Sequence, residues 1–160
     1  YGEGYRFHVT GLTHDSHGFP TNKANEAADM MERLRKKIVY NIRDLVQIES
    51  HEMEDAKIAI FAAGITARAA KAAIAIARKE GIKVGLLRPL TIWPFPDEAV
   101  RKMLRNVDTV IVPELNQGQL IHEIERLTKE KSDSSIIKLQ RVNGQLITPN
   151  DILRKIKGVS

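Results

Sequence analysis

Short apolar segments alternate with amphipathic segments along most of the chain. Four short segments rich in branched apolar residues predict strands, at residues 57–62, 83–87, 109–112 and 135–140. The segments that follow them have apolar residues at helical spacing and predict helices, at residues 66–80, 96–105, 118–129 and 149–157. Because strands that alternate with helices form parallel sheets through right-handed crossovers, both faces of the sheet should be covered. We therefore predict a three-layer α/β domain with a mostly parallel sheet of four to five strands.

A longer helical pattern precedes these strands. Apolar residues recur at helical spacing at Met31, Leu34, Ile38, Ile42 and Leu45. They predict one helix over residues 22–50, which would be on the order of 40 Å long. Such a helix exceeds what a small sheet needs to cover it. Either its surplus surface faces a neighbouring domain or subunit, or the helix bends round its own domain.

The same pattern suggests how the chain is organised. We expect residues 1–56 to form a strand at residues 5–9, a loop and the long linker helix, with a polar connector at residues 51–55. Residues 57–160 should form the α/β domain. The chain begins at Tyr1, without a Met, and a strand is predicted almost at once. This favours a piece cut from a longer protein.

Composition excludes several classes of function. The formal net charge is +5, but the basic residues are dispersed and usually lie beside acidic ones, so a solvated surface is favoured over nucleic-acid binding. No apolar run approaches the roughly 20 residues that a membrane span needs, and a soluble cytoplasmic protein is expected. The absence of cysteine excludes a disulfide framework, a thiolate zinc site, a cysteine nucleophile and a cysteine-ligated iron-sulfur cluster.

The glycine pattern disfavours nucleotide binding. Gly64 lies between a predicted strand and a helix, as in a dinucleotide-binding turn, but no further glycine follows it in residues 65–69. The second predicted strand ends in Leu87-Arg88-Pro89, without the acidic residue that would bind ribose hydroxyls. The chain also lacks the Gly-Lys-Ser/Thr of a P-loop.

The segment before the long helix contains His14, Asp15 and His17, followed by Gly18. A metal site there would need further ligands, and the sequence offers no obvious supplier. Turn formation through Asp15 and Ser16 is the commoner explanation. A hydrolase triad is disfavoured because it needs a base brought across space and an oxyanion hole.

The carboxyl ends of the predicted strands are the remaining place for a site, because open α/β sheets bind ligands along that edge. The candidates after the first three strands are Thr66, Arg68, Arg88, Trp93, Phe95, Glu114, Asn116 and Gln119. Helix starts at this edge would favour an anion. The competing interpretation is structural: Trp93 and Phe95 are packed anchors, and Glu114 and Asn116 cap the next helix.

Three segments carry a resemblance to a known family. They are VTGLTHDSHGFPT at residues 9–21, LRPLTIWPFP at residues 87–96 and VPELNQGQL at residues 112–120. The chain resembles the α subunit of 2-oxoacid:ferredoxin oxidoreductases, in particular the 2-oxoglutarate type, over nearly its whole length. The second segment is the most specific of the three.

This resemblance implies an enzyme that oxidatively decarboxylates a 2-oxoacid with thiamine diphosphate and magnesium. It implies that iron-sulfur clusters pass the electrons to ferredoxin and that the acyl group goes to coenzyme A. The chain has no Gly-Asp-Gly motif with a downstream Asn for thiamine diphosphate. The resemblance therefore implies that an earlier α-subunit domain and a β subunit hold the cofactors.

Under this resemblance, the chain corresponds to a C-terminal, transketolase-like domain that assembles and supports the enzyme. We expect it to bind no cofactor, to be inactive alone, and to hold the loop of His14, Asp15, His17 and Gly18 near the active centre. The alternative is a stand-alone small-molecule or nucleotide-binding domain that uses the strand ends.

Overall fold

The computed structural model describes residues 3–4, 8–131 and 134–160. Packing divides the chain into two units, Tyr1–Leu45 and Val46–Ser160. Residues 5–7 of the strand predicted at residues 5–9 lie outside the described residues, and residues 8–10 have no regular structure.

The first unit contains a small hairpin and two helices. Strands β1 (Thr13–His14) and β2 (Pro20–Thr21) pair antiparallel, and helices α1 (Ala24–Val39) and α2 (Ile42–Leu45) follow. None of the residues of α1 is buried. Its apolar stripe therefore lacks a covering layer within the described part of this unit.

The prediction of a single helix over residues 22–50 is wrong. Helix α1 ends at Val39, where the Asn41 side chain donates a hydrogen bond to the Lys37 carbonyl (2.8 Å) and satisfies an acceptor of the last turn. After α2 the chain becomes extended and forms strand β3 (Ile48–His51). The apolar residues at helical spacing end at Leu45, and the prediction extended the helix beyond them into a segment that pairs with β5 instead.

The second unit is built on a five-stranded sheet. Its remaining strands are β4 (Ile58–Phe61), β5 (Val84–Pro89), β6 (Thr109–Glu114) and β7 (Ser135–Gln140). The strand order is β3-β5-β4-β6-β7; β3 is antiparallel to β5, and the other neighbours are parallel. The four predicted strands and the mostly parallel sheet are confirmed, and β3 adds the fifth strand.

Helices cover both faces of this sheet. They are α3 (Gly64–Lys79), α4 (Asp97–Leu104), α5 (Leu120–Lys131) and α6 (Pro149–Lys157). One core cluster joins α3 and α6 to alternate strand residues such as Ile60 and Leu86. The other joins α4 and α5 to the intervening residues, such as Phe61 and Leu87. The predicted three-layer architecture is thus confirmed, since successive strand residues supply opposite cores.

Small residues let α3 lie close to the sheet. Ala70, Ala73, Ile74 and Ala77 are fully buried in the first core cluster. Gly81 ends this element with a φ of 83°, a conformation that glycine adopts without steric cost. The helix predicted at residues 66–80 is therefore confirmed to within two residues at its start and one at its end.

The turn between β3 and β4, which contains the predicted polar connector, is held in place by hydrogen bonds. Arg78 donates hydrogen bonds to the Glu52 carbonyl (2.6 Å), the Asp55 carboxylate (2.7 Å) and the Val84 carbonyl (2.8 Å). The turn passes over Gly85, where an added Cβ would lie 2.4 Å from the Glu52 oxygen. One guanidinium thus fastens this turn to α3 and β5, as its fixed set of donors allows.

Candidate functional site at the carboxyl ends of the strands

Four loops leave the carboxyl ends of the parallel strands and lie along one edge of the sheet. We call residues 62–63, 90–96, 115–119 and 141–148 the strand-end loops; they follow β4, β5, β6 and β7 respectively. The chain continues from β4 to β5 on one side and then crosses to β6 on the other side of β4. This reversal creates the switch point at which open α/β sheets bind ligands.

Glu114, the last residue of β6, caps helix α5 at this switch point. One of its carboxylate oxygens accepts hydrogen bonds from the backbone N–H groups of Gln119 (3.1 Å) and Leu120 (2.8 Å). The other oxygen accepts one from the N–H of Ile121 (3.1 Å). Only 3% of Glu114 is exposed. The carboxylate therefore satisfies N–H groups at the helix start that would otherwise face water or an anion.

Asn116 completes this arrangement. Its side-chain oxygen accepts a hydrogen bond from the Gly118 N–H (2.6 Å), and its amide nitrogen donates to Glu114 (3.3 Å). Gly118 has a φ of 102°, and a Cβ there would lie 2.3 Å from the Gln140 amide nitrogen. The capping interpretation of Glu114 and Asn116 is the one that the contacts show.

A negative charge already occupies the anion-favouring start of α5. Helix starts bind phosphates through free backbone N–H groups and the positive end of the helix dipole. In α5 the Glu114 carboxylate already binds the backbone N–H groups and lies at the positive end of the helix dipole. The residues at this edge do not fit a diphosphate group at α5, because a second anion would meet a buried like charge.

The loop after β5 is anchored by one aromatic residue and exposes the other. The Phe95 ring lies 5.7 Å from the Phe61 ring between centroids, and Pro94 and Pro96 are buried. Trp93 is 72% exposed. The expectation that Trp93 is a packed anchor is therefore wrong, whereas Phe95 is one. Pro94, which follows Trp93, is buried, whereas the Trp93 side chain lies at the surface.

Thr66 and Arg88 are engaged in contacts within the second unit. The Thr66 hydroxyl donates a hydrogen bond to the Ala63 carbonyl (2.8 Å), and the residue is buried. Arg88 lies inside β5, not after it, and one of its terminal nitrogens donates to the Glu49 carboxylate (3.1 Å). Lys71 also pairs with Glu49, and this contact is the main cause that lowers the pKa of that carboxyl.

The candidate residues therefore do not form one cluster. Glu114, Asn116 and the backbone of Gln119 meet at the start of α5, Arg88 belongs to an ion cluster with Glu49, and Arg68 is exposed on α3.

The loop after β7 was missed by the sequence analysis. Arg141 donates hydrogen bonds to the Leu146 carbonyl and to the Asp151 carboxylate (3.1 Å for the latter). Asp151 also accepts from the backbone (2.9 Å) and hydroxyl (2.8 Å) of Thr148 in a capping box. These bonds, chiefly those of Thr148, hold the pKa of Asp151 below its ordinary value. The Thr-Pro-Asn-Asp sequence at residues 148–151 was the available signal for this cap.

A groove on the second unit was also missed. It encloses about 560 Å³ between β3, the following turn and α4, and none of the predicted site residues lines it. Its apolar floor includes Met53, Leu87 and Met103, and Lys57 and Lys102 lie among its polar residues. These residues are far apart in sequence, so no local motif indicated the groove.

The loop of the first unit is an ordered turn. One Asp15 carboxylate oxygen accepts hydrogen bonds from the N–H groups of His17 (2.9 Å) and Phe19 (3.0 Å), and Gly18 has a φ of 85°. The contact with Phe19 is the main cause that lowers the pKa of Asp15. His14 lies in β1 and contacts the Thr10 hydroxyl (2.9 Å). Within the described residues, no group of three or more His, Cys, Asp or Glu side chains is placed to hold a metal ion.

No helix in the described part of the chain has both the length and the apolar character needed to cross a membrane.

The fold places the chain in the class of transketolase C-terminal-like α/β domains. A split-gene transketolase matches 70% of this chain with a TM-score of 0.61 and 19% identity, over 40% of its own length. The 2-oxoglutarate:ferredoxin oxidoreductase from Magnetococcus marinus matches 98% of this chain with a TM-score of 0.73 and 24% identity, over 27% of its own length. These likenesses concern the fold alone.

The sequence then identifies the family. The profile of pyruvate:ferredoxin oxidoreductase core domain II matches residues 56–152, and the chain belongs to this family. The 2-oxoglutarate synthase subunit KorA of Methanocaldococcus jannaschii is 34% identical over 99% of this chain. The ketoisovalerate oxidoreductase subunit VorB of Methanothermobacter marburgensis is 41% identical over 72% of it. The chain spans 42% and 32% of the lengths of these two relatives. The resemblance stated from the three sequence segments is confirmed.

Proposed function

We propose that this chain is the assembly and support domain of the α subunit of a 2-oxoacid:ferredoxin oxidoreductase of the 2-oxoglutarate type. The observation that carries the proposal is the match to 2-oxoglutarate synthase subunits over 99% of this chain but only 42% of theirs. The complete enzyme would oxidatively decarboxylate a 2-oxoacid to an acyl-CoA. The chain would contribute a rigid α/β domain to it and would not turn over substrate alone.

The contacts at the strand ends agree with a structural role for this chain in the assembled enzyme. The start of α5 is closed by the Glu114 carboxylate, and Arg88 is paired with Glu49. The start of α5 is therefore not open to a phosphate-bearing ligand, whereas Arg88 keeps its buried Nε atom without a hydrogen-bond partner among the described residues. The arrangement therefore favours the assembly function over the alternative of a stand-alone nucleotide-binding domain.

The remaining components of the enzyme would lie outside this chain. We propose that an N-terminal domain of the same subunit and a β subunit bind thiamine diphosphate and magnesium, with iron-sulfur clusters in the partner subunits. Thiamine diphosphate would supply the carbanion chemistry of decarboxylation, and coenzyme A would accept the acyl group. Ferredoxin would be a partner through the complex, and the location would be cytoplasmic.

The choice of 2-oxoacid is supported by the length of the match. Relatives named for 2-oxoglutarate match 98–99% of this chain in three of the methanogen proteins. The relatives named for ketoisovalerate match 72% of it. Because the longer match favours the 2-oxoglutarate type, we propose that substrate first.

The two parts of the chain would have different roles in the enzyme. We propose that the part of residues 1–56 that precedes strand β3 acts as a linker whose loop of His14, Asp15, His17 and Gly18 lies near the active centre. Residues 57–160, together with β3, would form the assembly domain. Its interface would use strand-end residues, among them Trp93, which is exposed and has no catalytic chemistry of its own.

The proposal is tested by comparing the chain with the assembled enzyme. The 160-residue chain and the complete subunit with its β subunit are each assayed for 2-oxoglutarate-dependent reduction of ferredoxin, with thiamine diphosphate, magnesium and coenzyme A present. We expect turnover from the complex and none from the chain. Decarboxylation by the purified chain would contradict the proposal. A saturable thermal shift of the chain with a phosphate-bearing ligand, abolished by Arg88→Ala, would favour the alternative.

A further inference from the structure

The loops at the carboxyl ends of the parallel strands differ sharply in charge from the loops at the opposite ends. Charged residues make up 28% of the chain, yet Arg141 is the only one in the four strand-end loops, all of which are described. The loops at the opposite edge, residues 52–57, 80–83 and 105–108, carry Glu52, Glu54, Asp55, Lys57, Glu80, Lys83, Arg105 and Asp108. A domain that is surrounded by water on all sides is expected to carry charged residues at both ends of its strands. The lack of charge at one end therefore indicates that this end is covered.

The uncharged edge also exposes large apolar side chains. The exposed fractions are Leu90 51%, Ile92 46%, Trp93 72%, Leu115 37%, Val142 62% and Leu146 58%. These residues come from three of the four loops, and Ile65, the second residue after the loop at residues 62–63, is 44% exposed. Depletion of charge together with exposed aromatic and aliphatic side chains is typical of the core of a protein interface.

The loops are held rigid beneath this surface. Phe95 packs on Phe61, and Glu114 fixes the loop after β6 through three backbone N–H groups. The single cation of the surface, Arg141, is bound to Asp151. Little ordering is therefore required when the surface is covered, which favours binding. An exposed tryptophan on such a support is a typical energetic centre of an interface.

The lack of free charge in the strand-end loops limits the kind of partner that they can bind. Nucleic acid and anionic lipid are bound through several free cations, which these loops do not contain. Within the strand-end loops, a partner that forms ion pairs would find only Arg141, whose charge is already compensated. The exposed Arg68 lies outside these loops, on α3. The matching partner is an apolar, uncharged protein surface.

The length of the relatives points to the source of that partner. The counterpart of this chain makes up 42% of each 2-oxoglutarate synthase subunit that it matches over nearly its whole length. More than half of each relative is thus joined covalently to the same domain and has a high effective concentration beside it. Resting on the proposed function, we infer that the strand-end loops dock on the part of the α subunit that lies outside this chain, with Trp93 at the contact.

Site-specific photocross-linking in the assembled oxidoreductase tests this inference. Trp93→p-benzoylphenylalanine places the cross-linker at the most exposed of these apolar residues, and because Trp93 is 72% exposed its replacement removes little packing. Arg105→p-benzoylphenylalanine, in an exposed loop at the opposite edge, is the matched control. After irradiation, adducts are separated by mass and mapped by peptide mass spectrometry.

We expect the variant at position 93 to give an adduct of one-subunit mass that joins these 160 residues to another part of the same polypeptide. The control should lack that adduct. An adduct with a second copy of the subunit, an adduct with the β subunit, no adduct, or the same adduct from both positions would each overturn the inference. Turnover of 2-oxoglutarate is measured on the same preparations. An active complex with a wrong adduct refutes the docking inference alone, and an inactive assembled complex refutes the proposed function.

Discussion

Replacing Glu114 by glutamine tests whether its carboxylate holds the start of α5. The substitution keeps the size of the side chain and one acceptor oxygen, which can still serve Gln119 and Leu120. The second oxygen becomes an amide nitrogen that faces the Ile121 N–H, so two donors meet in a site that is 3% exposed. The perturbation is therefore confined to one hydrogen bond and one charge.

The expected loss of stability follows from these contacts. A hydrogen bond to a charged group contributes about 1.5–3 kcal/mol to stability. A charge at the start of a helix contributes about 0.3–1 kcal/mol at the surface, and more where it is partly buried. We expect Glu114→Gln to lower the free energy of unfolding by about 3 kcal/mol and the melting temperature by roughly 10 °C.

Urea denaturation followed by circular dichroism measures this change. Glu123→Gln is the matched control, because Glu123 lies on the same helix and forms an exposed ion pair with Arg126. Exposed pairs contribute about 0–1 kcal/mol, so the control should stay close to the wild type. If Glu114→Gln were no more destabilising than Glu123→Gln, the cap would not hold the helix as described.

Two further substitutions probe the second unit. Because hydrogen bonds from Thr148 lower the pKa of Asp151, its carboxylate should contribute fully to stability above the unfolded-state pKa of about 3.9 and progressively less as the pH falls below it. Asp151→Asn should therefore reduce stability at pH 7 and flatten its decline in acid, and unfolding curves of unchanged pH dependence would argue against this. Gly85→Ala should destabilise the domain by about 1–3 kcal/mol, because its Cβ would meet the Glu52 carbonyl at 2.4 Å. Gly158→Ala, with its nearest contact at 3.4 Å, should be tolerated in the same thermal melts.

The fold was largely predictable because most of its helices and strands are indicated by sequence patterns within a few neighbouring residues. The last helix, Pro149–Lys157, has the predicted bounds, since a proline start and a Thr148 cap mark it within a few residues. The strand Ser135–Gln140 also has its predicted bounds. The candidate site was predicted less well. Glu114 was correctly proposed as a cap, but its three partners depend on how the loop folds back onto the strand.

The sequence by itself determined the alternation of strands and helices, the two-sided burial of the sheet and the family. These follow from periods of two and 3.6 residues and from contiguous motifs, which do not depend on distant neighbours. Tertiary structure alone decided that Ile48–His51 is a strand, because its partner β5 is far away in the sequence and pairs with it only in the folded domain. It also decided that Phe95 is packed while Trp93 is exposed, because the direction of each side chain depends on a core assembled from remote segments.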